Sequence, residues 1–358
     1  MTDPLLVVED LRTHVHTADG VVRAVDGVDF SVGRGETVCL VGESGSGKSI
    51  TCDTITGLVG PTADISGTVR FDGIDLPSLS ERERRSIRGN RIAYVFQNAQ
   101  SALDPVYTVG DQLVEAMTFH RDIDDAVARD RAVELLHTVG LSRPGDRIDQ
   151  YPHELSDGMC QRVAIAIGLA GEPDLLIADE PTSALDLVIQ ARIIELLDDL
   201  RRERELSVLL VTHDLRVAAA LADRLVVLYG GTAVERGPVE DVFERPAHPY
   251  TQELLRSVTG SDDWTPAAAQ LPSRGCRFHR ECPLVVEDCR DERPPFEPVA
   301  DRDAHRAACV YHGAGRDPAA VFDRIPDANL ADLRGGGSTT AATNETDRVD
   351  PAGGGPDD

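Results

Sequence analysis

The chain has 358 residues and a formal net charge of −26, from 62 acidic and 36 basic residues. This balance argues against a nucleic-acid backbone or an anionic membrane surface as the binding partner, because both attract a basic face. With 41% hydrophobic residues, the sequence can supply the core of one large domain and a smaller one.

The acidic residues are spread along the chain and lysine is almost absent. Pairs occur at Asp124-Asp125, Asp198-Asp199, Asp262-Asp263 and Asp357-Asp358. An acidic, strongly hydrated surface with few aromatic residues is typical of proteins from salt-accumulating organisms. We therefore expect a halophilic source and folding that needs molar salt, because self-repulsion would destabilise the compact state in dilute buffer. An ordinary acidic cytoplasmic protein is the alternative.

The N-terminal residues lack the basic and apolar regions of a signal peptide. No apolar run of membrane-spanning length follows them. We therefore expect a cytoplasmic, soluble protein that can still dock to a membrane partner.

The first predicted elements are strands at residues 5–8, 25–32 and 37–41, followed by a glycine-rich loop and a helix over residues 48–58. The loop consists of Gly42, Glu43, Ser44, Gly45, Ser46, Gly47, Lys48 and Ser49. Strand, loop and helix in this order predict a P-loop, in which the N–H groups of residues 43–49 surround phosphates. Lys48, the single lysine of the chain, would reach the β- and γ-phosphates, and the Ser49 hydroxyl would bind Mg²⁺. A flexible Gly/Ser turn is the alternative.

A second group of elements follows the P-loop. Residues 91–96 predict a strand that ends at Gln97, and residues 105–170 have a mostly helical pattern, which indicates an inserted lobe. Within this lobe, Ser156 precedes an apolar periodic run and is typical of a helix N-cap.

Two further strands deliver polar side chains to their carboxyl ends. The apolar run before Asp179 and Glu180 predicts a strand of a parallel sheet, and residues 208–212 predict another that ends at His213. In a P-loop enzyme, Asp179 would hold Mg²⁺ and Glu180 would take a proton from the water that attacks the γ-phosphate.

These motifs resemble, in order and spacing, those of ABC-transporter ATPases over about residues 5–260. The resemblance implies an α/β fold, a P-loop ABC-type domain with an inserted helical subdomain, and a head-to-tail dimer with two ATP molecules at its interface. It also implies that Ser156 and Gly158 contact the γ-phosphate held by the other subunit. The remaining implied roles are Mg²⁺ sensing and coupling for Gln97, γ-phosphate positioning for His213, and a connection between the two ATP sites for Asp186.

Three segments are similar to the ATPases of dipeptide, oligopeptide and nickel importers: residues 96–105, residues 245–251 and the cysteine-rich segment from residue 275. The resemblance implies an ATP-hydrolysing subunit on the cytoplasmic face of the membrane. Its partners would be a second ATPase subunit, two membrane permease subunits and, indirectly, an extracellular solute-binding protein. The alternatives are a nickel or other small-solute importer, a catalytically weak partner of a heterodimeric pair, and a soluble ABC ATPase without a transporter.

The sequence departs from the family pattern at two places. Asp157 stands where the signature usually has glycine, and Cys160 where it commonly has arginine. A carboxylate beside a γ-phosphate would repel it, so we expect slow turnover at the site to which this loop contributes. The family often has an aromatic ring against adenine, whereas here Val22 is the residue expected to pack on the base.

Four cysteines, Cys276, Cys282, Cys289 and Cys309, lie close together in the sequence and could complete a zinc site or a [4Fe–4S] cluster. Their spacing is wider than is usual for zinc, and the resemblance implies the iron–sulfur cluster.

For the chain as a whole, we predict an ABC ATPase domain over residues 1–260, a cysteine-rich region over 261–315 and a disordered, low-complexity tail over 316–358.

Overall fold

A computed structural model describes residues 3–183, 185–259, 271–300, 302–325 and 330–334 of the chain. Its strands are β1 (Leu6–Thr17), β2 (Gly20–Val32), β3 (Thr37–Val41), β4 (Ala63–Phe71), β5 (Ile74–Asp75), β6 (Ile92–Val95), β7 (Leu175–Asp179), β8 (Ser207–Thr212), β9 (Arg224–Tyr229), β10 (Thr232–Pro238), β11 (Glu297–Val299) and β12 (Arg302–Ala307). Its helices are α1 (Lys48–Thr56), α2 (Glu81–Ile87), α3 (Ala99–Ala102), α4 (Val109–Thr118), α5 (Asp125–Thr138), α6 (Pro144–Arg147), α7 (Asp157–Leu169), α8 (Leu187–Arg204), α9 (Leu215–Leu221), α10 (Val239–Glu244), α11 (Pro249–Thr259), α12 (Asp288–Asp291), α13 (Ala319–Phe322) and α14 (Leu330–Arg334).

Among the described residues, the larger sheet has eight strands in the order β11-β12-β10-β9-β3-β8-β7-β6. The strands from β9 to β6 are parallel, and every residue of β3, β7 and β8 is buried. Continuous apolar runs are what strands with helices on both faces require. In the register, Val41 pairs with Thr212 and Asp179 with Val211, so the ends of β3, β7 and β8 lie at one sheet edge. The predicted α/β class and the predicted strand at residues 37–41 are confirmed.

The smaller sheet is antiparallel, with β2, β1, β4 and β5 in that order in the described part of the chain. The short strands expected at residues 5–8 and 25–32 are the ends of a long hairpin, β1 and β2, in which Thr17 pairs with Gly20. Leu6, Val8, Val28 and Phe30 are buried in one apolar cluster with residues of β3 and α1. The hairpin thereby lies next to the glycine-rich loop.

Helices α4 to α7 lie between β6 and β7 in the chain, where a helical lobe is predicted. Their apolar faces meet around Leu113, Ala132, Leu136 and Val163, all fully buried. Ser156 is the N-cap of α7, as predicted, and its hydroxyl accepts a hydrogen bond from the Met159 N–H at 3.4 Å.

The C-terminal region extends the larger sheet, because β12 pairs with β10 and β11 pairs with β12. A largely buried ion pair, Arg277 to Asp26 at 2.5 Å, connects this region with β2. The predicted boundary at residue 260 lies outside the described residues, as does the tail from residue 335. In the part of the predicted tail that the structure describes, residues 316–325 and 330–334, the side chains of Val321, Leu330 and Leu333 are buried.

None of the helices in the described part of the chain has the length and hydropathy needed to span a bilayer.

Candidate active site

The glycine-rich loop connects β3 to α1 in a conformation that depends on glycine. Gly42 has φ 150°, and a Cβ there would lie 2.2 Å from the Leu228 carbonyl oxygen. At Gly47, φ is 102° and a Cβ would lie 2.5 Å from the Ala24 carbonyl oxygen. The loop is also held by the turn after β9, where the Gly231 N–H donates to the Ser46 carbonyl at 2.9 Å. The loop therefore passes too close to neighbouring backbone to accept side chains at these two positions.

Lys48 begins α1 and its side chain folds back into the loop. Its Nζ donates to the carbonyl oxygens of Gly42 and Glu43, both at 2.7 Å. Burial lowers the pKa of Lys48, while the nearby charges of Glu180 and Asp179 oppose that shift. The ammonium is thus held in place by loop carbonyls, in a position from which it can exchange them for phosphate oxygens.

The Glu43 N–H points away from the loop interior, because it donates to the Tyr250 hydroxyl at 3.1 Å. This contact limits the predicted phosphate cradle, which was expected to use every N–H from residue 43 to residue 49. The Ser46 N–H donates to the Glu43 carbonyl at 3.2 Å, so the N–H groups of residues 44, 45 and 47–49 are the remaining donors at the start of α1. Tyr250 belongs to the segment 245–251 noted in the sequence, but its contact with the loop was not predicted, since it lies 207 residues after Glu43.

The Glu43 carboxyl is half buried near a second carboxyl, that of Glu281. Burial, and then the Glu281 charge, raise the pKa of Glu43 from 4.5 to about 7, while the Lys48 charge lowers it. Between these two pH values the folded protein binds more protons at Glu43 than the unfolded chain does. Stability therefore falls as the pH rises through this window.

We expect the Glu43→Gln variant to lose less free energy of unfolding than the wild type between about pH 4.5 and pH 7. The amide cannot ionise, so its burial carries no pH-dependent penalty. Denaturant unfolding of both proteins at fixed salt concentration, at several pH values, measures the difference. Parallel stability profiles for the two proteins would contradict the raised pKa.

Asp179 ends β7 beside the loop and has the arrangement of a metal ligand. The Tyr94 hydroxyl donates to its Oδ2 at 3.2 Å, and the nearby Ser49 hydroxyl favours its charged form. Its Oδ1 is buried and has no hydrogen-bond partner among the described residues. Burial raises the pKa of Asp179. A buried carboxylate oxygen without a donor, next to a hydroxyl, fits Mg²⁺, which prefers oxygen ligands.

Glu180 follows directly and is held by two polar side chains from neighbouring strand ends. Its Oε2 accepts from Gln97 Nε2 at 3.0 Å, and its Oε1 lies 3.0 Å from His213 Nδ1. Its φ is +47°, in the left-handed region that is uncommon for glutamate. The structure therefore brings together the three predicted catalytic side chains, Gln97, Glu180 and His213.

The loop, Gln97 and Glu180 line an open cleft of about 320 Å³. Its other wall comes from Val22, Arg23, Ala24, Gly230, Gly231 and Leu271. Val22 is the residue expected to pack on the adenine base. Leu271 belongs to the C-terminal region, and nothing in the sequence around it predicted that it would line the cleft. The cleft is large enough and polar enough at one end to accept a phosphate chain.

The segment with Ser156, Asp157 and Gly158 does not line this cleft. Asp157 lies in a second cleft, where its Oδ1 accepts from Gln100 Nε2 at 2.5 Å. Gly158 packs closely on α8, since a Cβ there would lie 2.7 Å from Ile189 Cγ2. Asp186 is the N-cap of α8 and accepts from the N–H groups of Val188 and Ile189 at 3.0 and 2.9 Å.

The four clustered cysteines are free thiols in the structure. Burial raises the pKa of Cys276 to about 11 and those of Cys282 and Cys309 to about 12, and the other thiols of the group add to the shift at Cys309. Within the described ranges, no three His, Cys, Asp or Glu side chains are placed to hold one metal ion. In the structure the four thiols do not form a group that could hold a metal ion: Cys276 and Cys282 are partly exposed, and Cys289 and Cys309 are buried.

Comparisons with known proteins agree with this geometry. Residues 25–183 match the sequence model of the family described as ABC transporter, and residues 234–289 match the one described as oligopeptide/dipeptide transporter, C-terminal region. The oligopeptide transport ATP-binding protein AppD of Bacillus subtilis (strain 168) is 45% identical over 302 residues, which are 81% of this chain and 92% of that protein. The dipeptide transport ATP-binding protein DppD of Escherichia coli (strain K12) is 42% identical over 317 residues, covering 86% and 96% of the two chains.

Among solved structures, the dimeric post-hydrolysis state of the ATP-binding cassette MJ0796 bound to ADP and Pi is similar. It has a TM-score of 0.60 and 31% sequence identity, and the match covers 65% of this chain and 98% of that one. The P-loop geometry, the order of the strand-end side chains and the length of these matches lead to one assignment. The chain belongs to the ABC transporter family of ATP-binding proteins, in the group with the oligopeptide/dipeptide transporter C-terminal region.

Proposed function

We propose that this protein is the ATP-hydrolysing subunit of an importer that takes up dipeptides or oligopeptides through separate membrane permease subunits. The observation that carries the proposal is the similarity, at 42–45% identity over most of both chains, to proteins named for oligopeptide and dipeptide transport. In this proposal the protein lies at the cytoplasmic face of the membrane, bound to its permeases. An extracellular solute-binding protein delivers the peptide.

The phosphate end of ATP is bound by the loop. The N–H groups of residues 44, 45 and 47–49 donate to phosphate oxygens at the N-terminus of α1, and Lys48 exchanges the carbonyls of Gly42 and Glu43 for the β- and γ-phosphates. Ser49, Asp179 and Gln97 would hold Mg²⁺. When bound, the cation neutralises charge on the β- and γ-phosphates.

Hydrolysis uses the Glu180 carboxylate as the base. Gln97 and His213 hold its two oxygens, which fixes the plane of the carboxylate before water arrives. One oxygen then accepts the proton of the water that attacks the γ-phosphorus, and His213 can turn its imidazole, which is 59% exposed, towards the γ-phosphate.

The complete site requires a second subunit. Ser156 and Gly158 lie outside the P-loop cleft of their own chain, so we assign them to the γ-phosphate of the opposite subunit, with Asp186 between the two sites. The relative with the ATP-binding cassette fold is described as dimeric, which supports this arrangement. The second subunit is either a copy of this chain or a related ATPase. Hydrolysis measured with this chain alone and with an added second ATPase subunit distinguishes the two.

A cleft of about 680 Å³ beside β6 supports the permease contact. It is lined by aromatic side chains, with Tyr107 53% and Phe119 69% exposed. Exposed aromatic residues around a concave surface are typical of a protein-binding site. Tyr94 of β6 lines this cleft, and Gln97 follows the end of the same strand. A permease segment bound in the cleft can therefore change the position of Gln97.

We expect the Asp157→Gly variant to raise kcat for ATP several-fold at low salt, because it removes a negative charge beside the partner's γ-phosphate. The gain should shrink in molar salt, where the charge is screened. Steady-state hydrolysis at two salt concentrations measures it. Asp157→Asn is the control that removes the charge and keeps the side-chain size.

Unchanged or reduced turnover in both Asp157 variants would contradict inhibition by this carboxylate. If wild-type turnover is negligible alone but rises when a second ATPase subunit is added, the chain is a weak partner in a heterodimeric pair. The hydrogen bond from Gln100 holds the carboxylate of Asp157 and is the feature that favours this second candidate.

We also propose that Cys276, Cys282, Cys289 and Cys309 bind a [4Fe–4S] cluster, with zinc as the alternative. Support comes from a direct backbone contact between two of these cysteines, because the Cys276 N–H donates to the Cys289 carbonyl at 2.8 Å. The thiols must move together and lose their protons to bind, which the raised pKa values oppose. Iron, sulfide and zinc analysis of protein purified without oxygen tests the assignment, and a protein free of all three overturns it.

The transport proposal is tested in a deletion strain of the source organism. Loss of uptake of a labelled dipeptide or oligopeptide, restored by the wild-type gene and not by the Glu180→Gln gene, is the expected result. Loss of nickel uptake alone would assign the alternative substrate. Normal uptake of both would overturn a transport function and leave a soluble ABC ATPase.

A further inference from the structure

Three aromatic side chains connect the cysteine-rich segment with the phosphate loop. Tyr229 ends β9, Tyr250 lies in the first turn of α11, and Phe278 lies between Cys276 and Cys282. The ring centroids are 4.6 Å apart for Tyr229 and Tyr250, 5.3 Å for Tyr229 and Phe278, and 5.5 Å for Tyr250 and Phe278. All three rings are buried, so the position of each depends on the other two.

One of these rings holds a single peptide group of the loop. The Gly42–Glu43 peptide donates its N–H to the Tyr250 hydroxyl at 3.1 Å, and its carbonyl accepts from Lys48 Nζ at 2.7 Å. Two side chains therefore fix the orientation of one peptide plane, from opposite edges. Burial raises the pKa of the Tyr250 hydroxyl, which stays protonated at working pH.

Phosphate binding removes one of these two contacts. Lys48 must leave the Gly42 carbonyl to reach the β- and γ-phosphates, and the Tyr250 hydroxyl is then the side-chain contact that still holds the peptide plane. Gly42, at φ 150° and without a Cβ, has the backbone freedom to rotate this peptide. Loss of the hydroxyl would leave the loop to sample orientations that do not bind phosphate.

The cysteine-rich segment supports Tyr250 from the other side. Phe278 packs on both tyrosine rings, and the Tyr229 hydroxyl donates to Glu281 Oε1 at 2.9 Å. His248, two residues before Tyr250, lies with its Nε2 3.8 Å from Cys276 Sγ. A change in the packing of residues 276–282 would therefore displace the ring of Tyr250, whose hydroxyl accepts from the loop.

We infer that Tyr250 is a positioning residue for nucleotide binding, and that the cysteine-rich segment sets ATP affinity through Phe278 and Tyr250. The inference rests on the proposed ATPase function and adds a means of regulating the same site. A condition that disorders residues 276–282 would weaken ATP binding without touching a residue that contacts ATP.

The test compares Tyr250→Phe with Tyr311→Phe. Both variants remove one hydroxyl, and Tyr311 donates to the Leu284 carbonyl at 3.0 Å, within the C-terminal region and away from the loop. Loss of one neutral hydrogen bond corresponds to a change of about 3- to 10-fold in affinity. We expect Tyr250→Phe to raise the Kd for ATP and the KM by this factor while kcat at saturating ATP stays within about 2-fold of the wild type. Tyr311→Phe should bind ATP as the wild type does.

Phe278→Leu provides a second variant that keeps most of the buried volume. It should raise the Kd for ATP in the same direction, with circular dichroism showing a folded protein. Wild-type Kd values in both Tyr250→Phe and Phe278→Leu would overturn the inference, as would a fall in kcat with an unchanged KM. If wild type and Tyr311→Phe both fail to bind ATP, the proposed function fails first and the inference falls with it.

Discussion

Replacing Glu180 with glutamine should leave ATP binding intact and lower kcat by about 10²- to 10⁴-fold, the usual contribution of a general base. The amide cannot take the proton of the attacking water. It also has one acceptor where the carboxylate has two, so only one of Gln97 and His213 can donate to the amide oxygen, and a contact with the other requires the amide NH2 to donate. The variant should accumulate as a dimer with trapped ATP.

Single-turnover hydrolysis and the amount of nucleotide retained after gel filtration measure these two effects. Glu253→Gln is a matched control, because it makes the same chemical change at a carboxylate paired with Arg256, away from the cleft. Turnover in Glu180→Gln equal to that of the wild type would remove Glu180 as the base. Loss of ATP binding instead would show that the carboxylate supports the loop rather than the reaction.

Replacing Lys48 with alanine should weaken ATP binding by about 100-fold or more. The ammonium is expected to form two bonds with phosphate oxygens, and hydrogen bonds to charged groups contribute about 1.5–3 kcal/mol each. Lys48→Arg should recover little of the loss, because the planar guanidinium does not fit a site where the side chain is 5% exposed and donates to two carbonyls.

Equilibrium binding of a fluorescent ATP analogue measures the loss for Lys48→Ala. Arg82→Ala is the control for the change in net charge, since Arg82 lies on the short helix α2, which does not line the cleft. Affinity within about 3-fold of the wild type in Lys48→Ala would show that the backbone N–H groups alone bind the phosphates. The control should bind ATP as the wild type does.

The parts of the site that sequence predicted well are those built from neighbours in the chain. Strand β3, the glycine-rich loop and the start of α1 are continuous, and Asp179 and Glu180 follow the strand that places them. His213 was placed by the rule that parallel strands end at one sheet edge, and the register of β7 and β8 agrees.

The parts that sequence did not predict depend on contacts between distant segments. Tyr250 takes the Glu43 N–H across 207 residues, and Arg277 pairs with Asp26 across 251. Strands β11 and β12 are short, and their place beside β10 follows from packing rather than from a pattern of their own. The tail predicted over residues 316–358 was assigned from composition, which gives no sign that Val321 is a buried side chain.

The halophilic source and the need for molar salt remain predictions from composition. The described surface carries many acidic side chains in ion pairs with arginine, such as Asp72 with Arg91 and Glu172 with Arg121. Pairs of this kind contribute little to stability at the surface and less as salt rises. The free energy of unfolding, measured at several salt concentrations, separates two effects. Weakened ion pairs lower it as salt rises, whereas screening of the repulsion between acidic residues raises it.

The solitary lysine has a practical and a physiological consequence. Apart from the chain terminus, Lys48 is the one primary amine that the sequence provides. An amine-selective reagent should therefore report occupancy of the phosphate site directly, with ATP protecting against a single side-chain label. Acylation of lysine, a common metabolic modification, has one side-chain target in this sequence, and under the proposed function the loss of its charge would also weaken ATP binding.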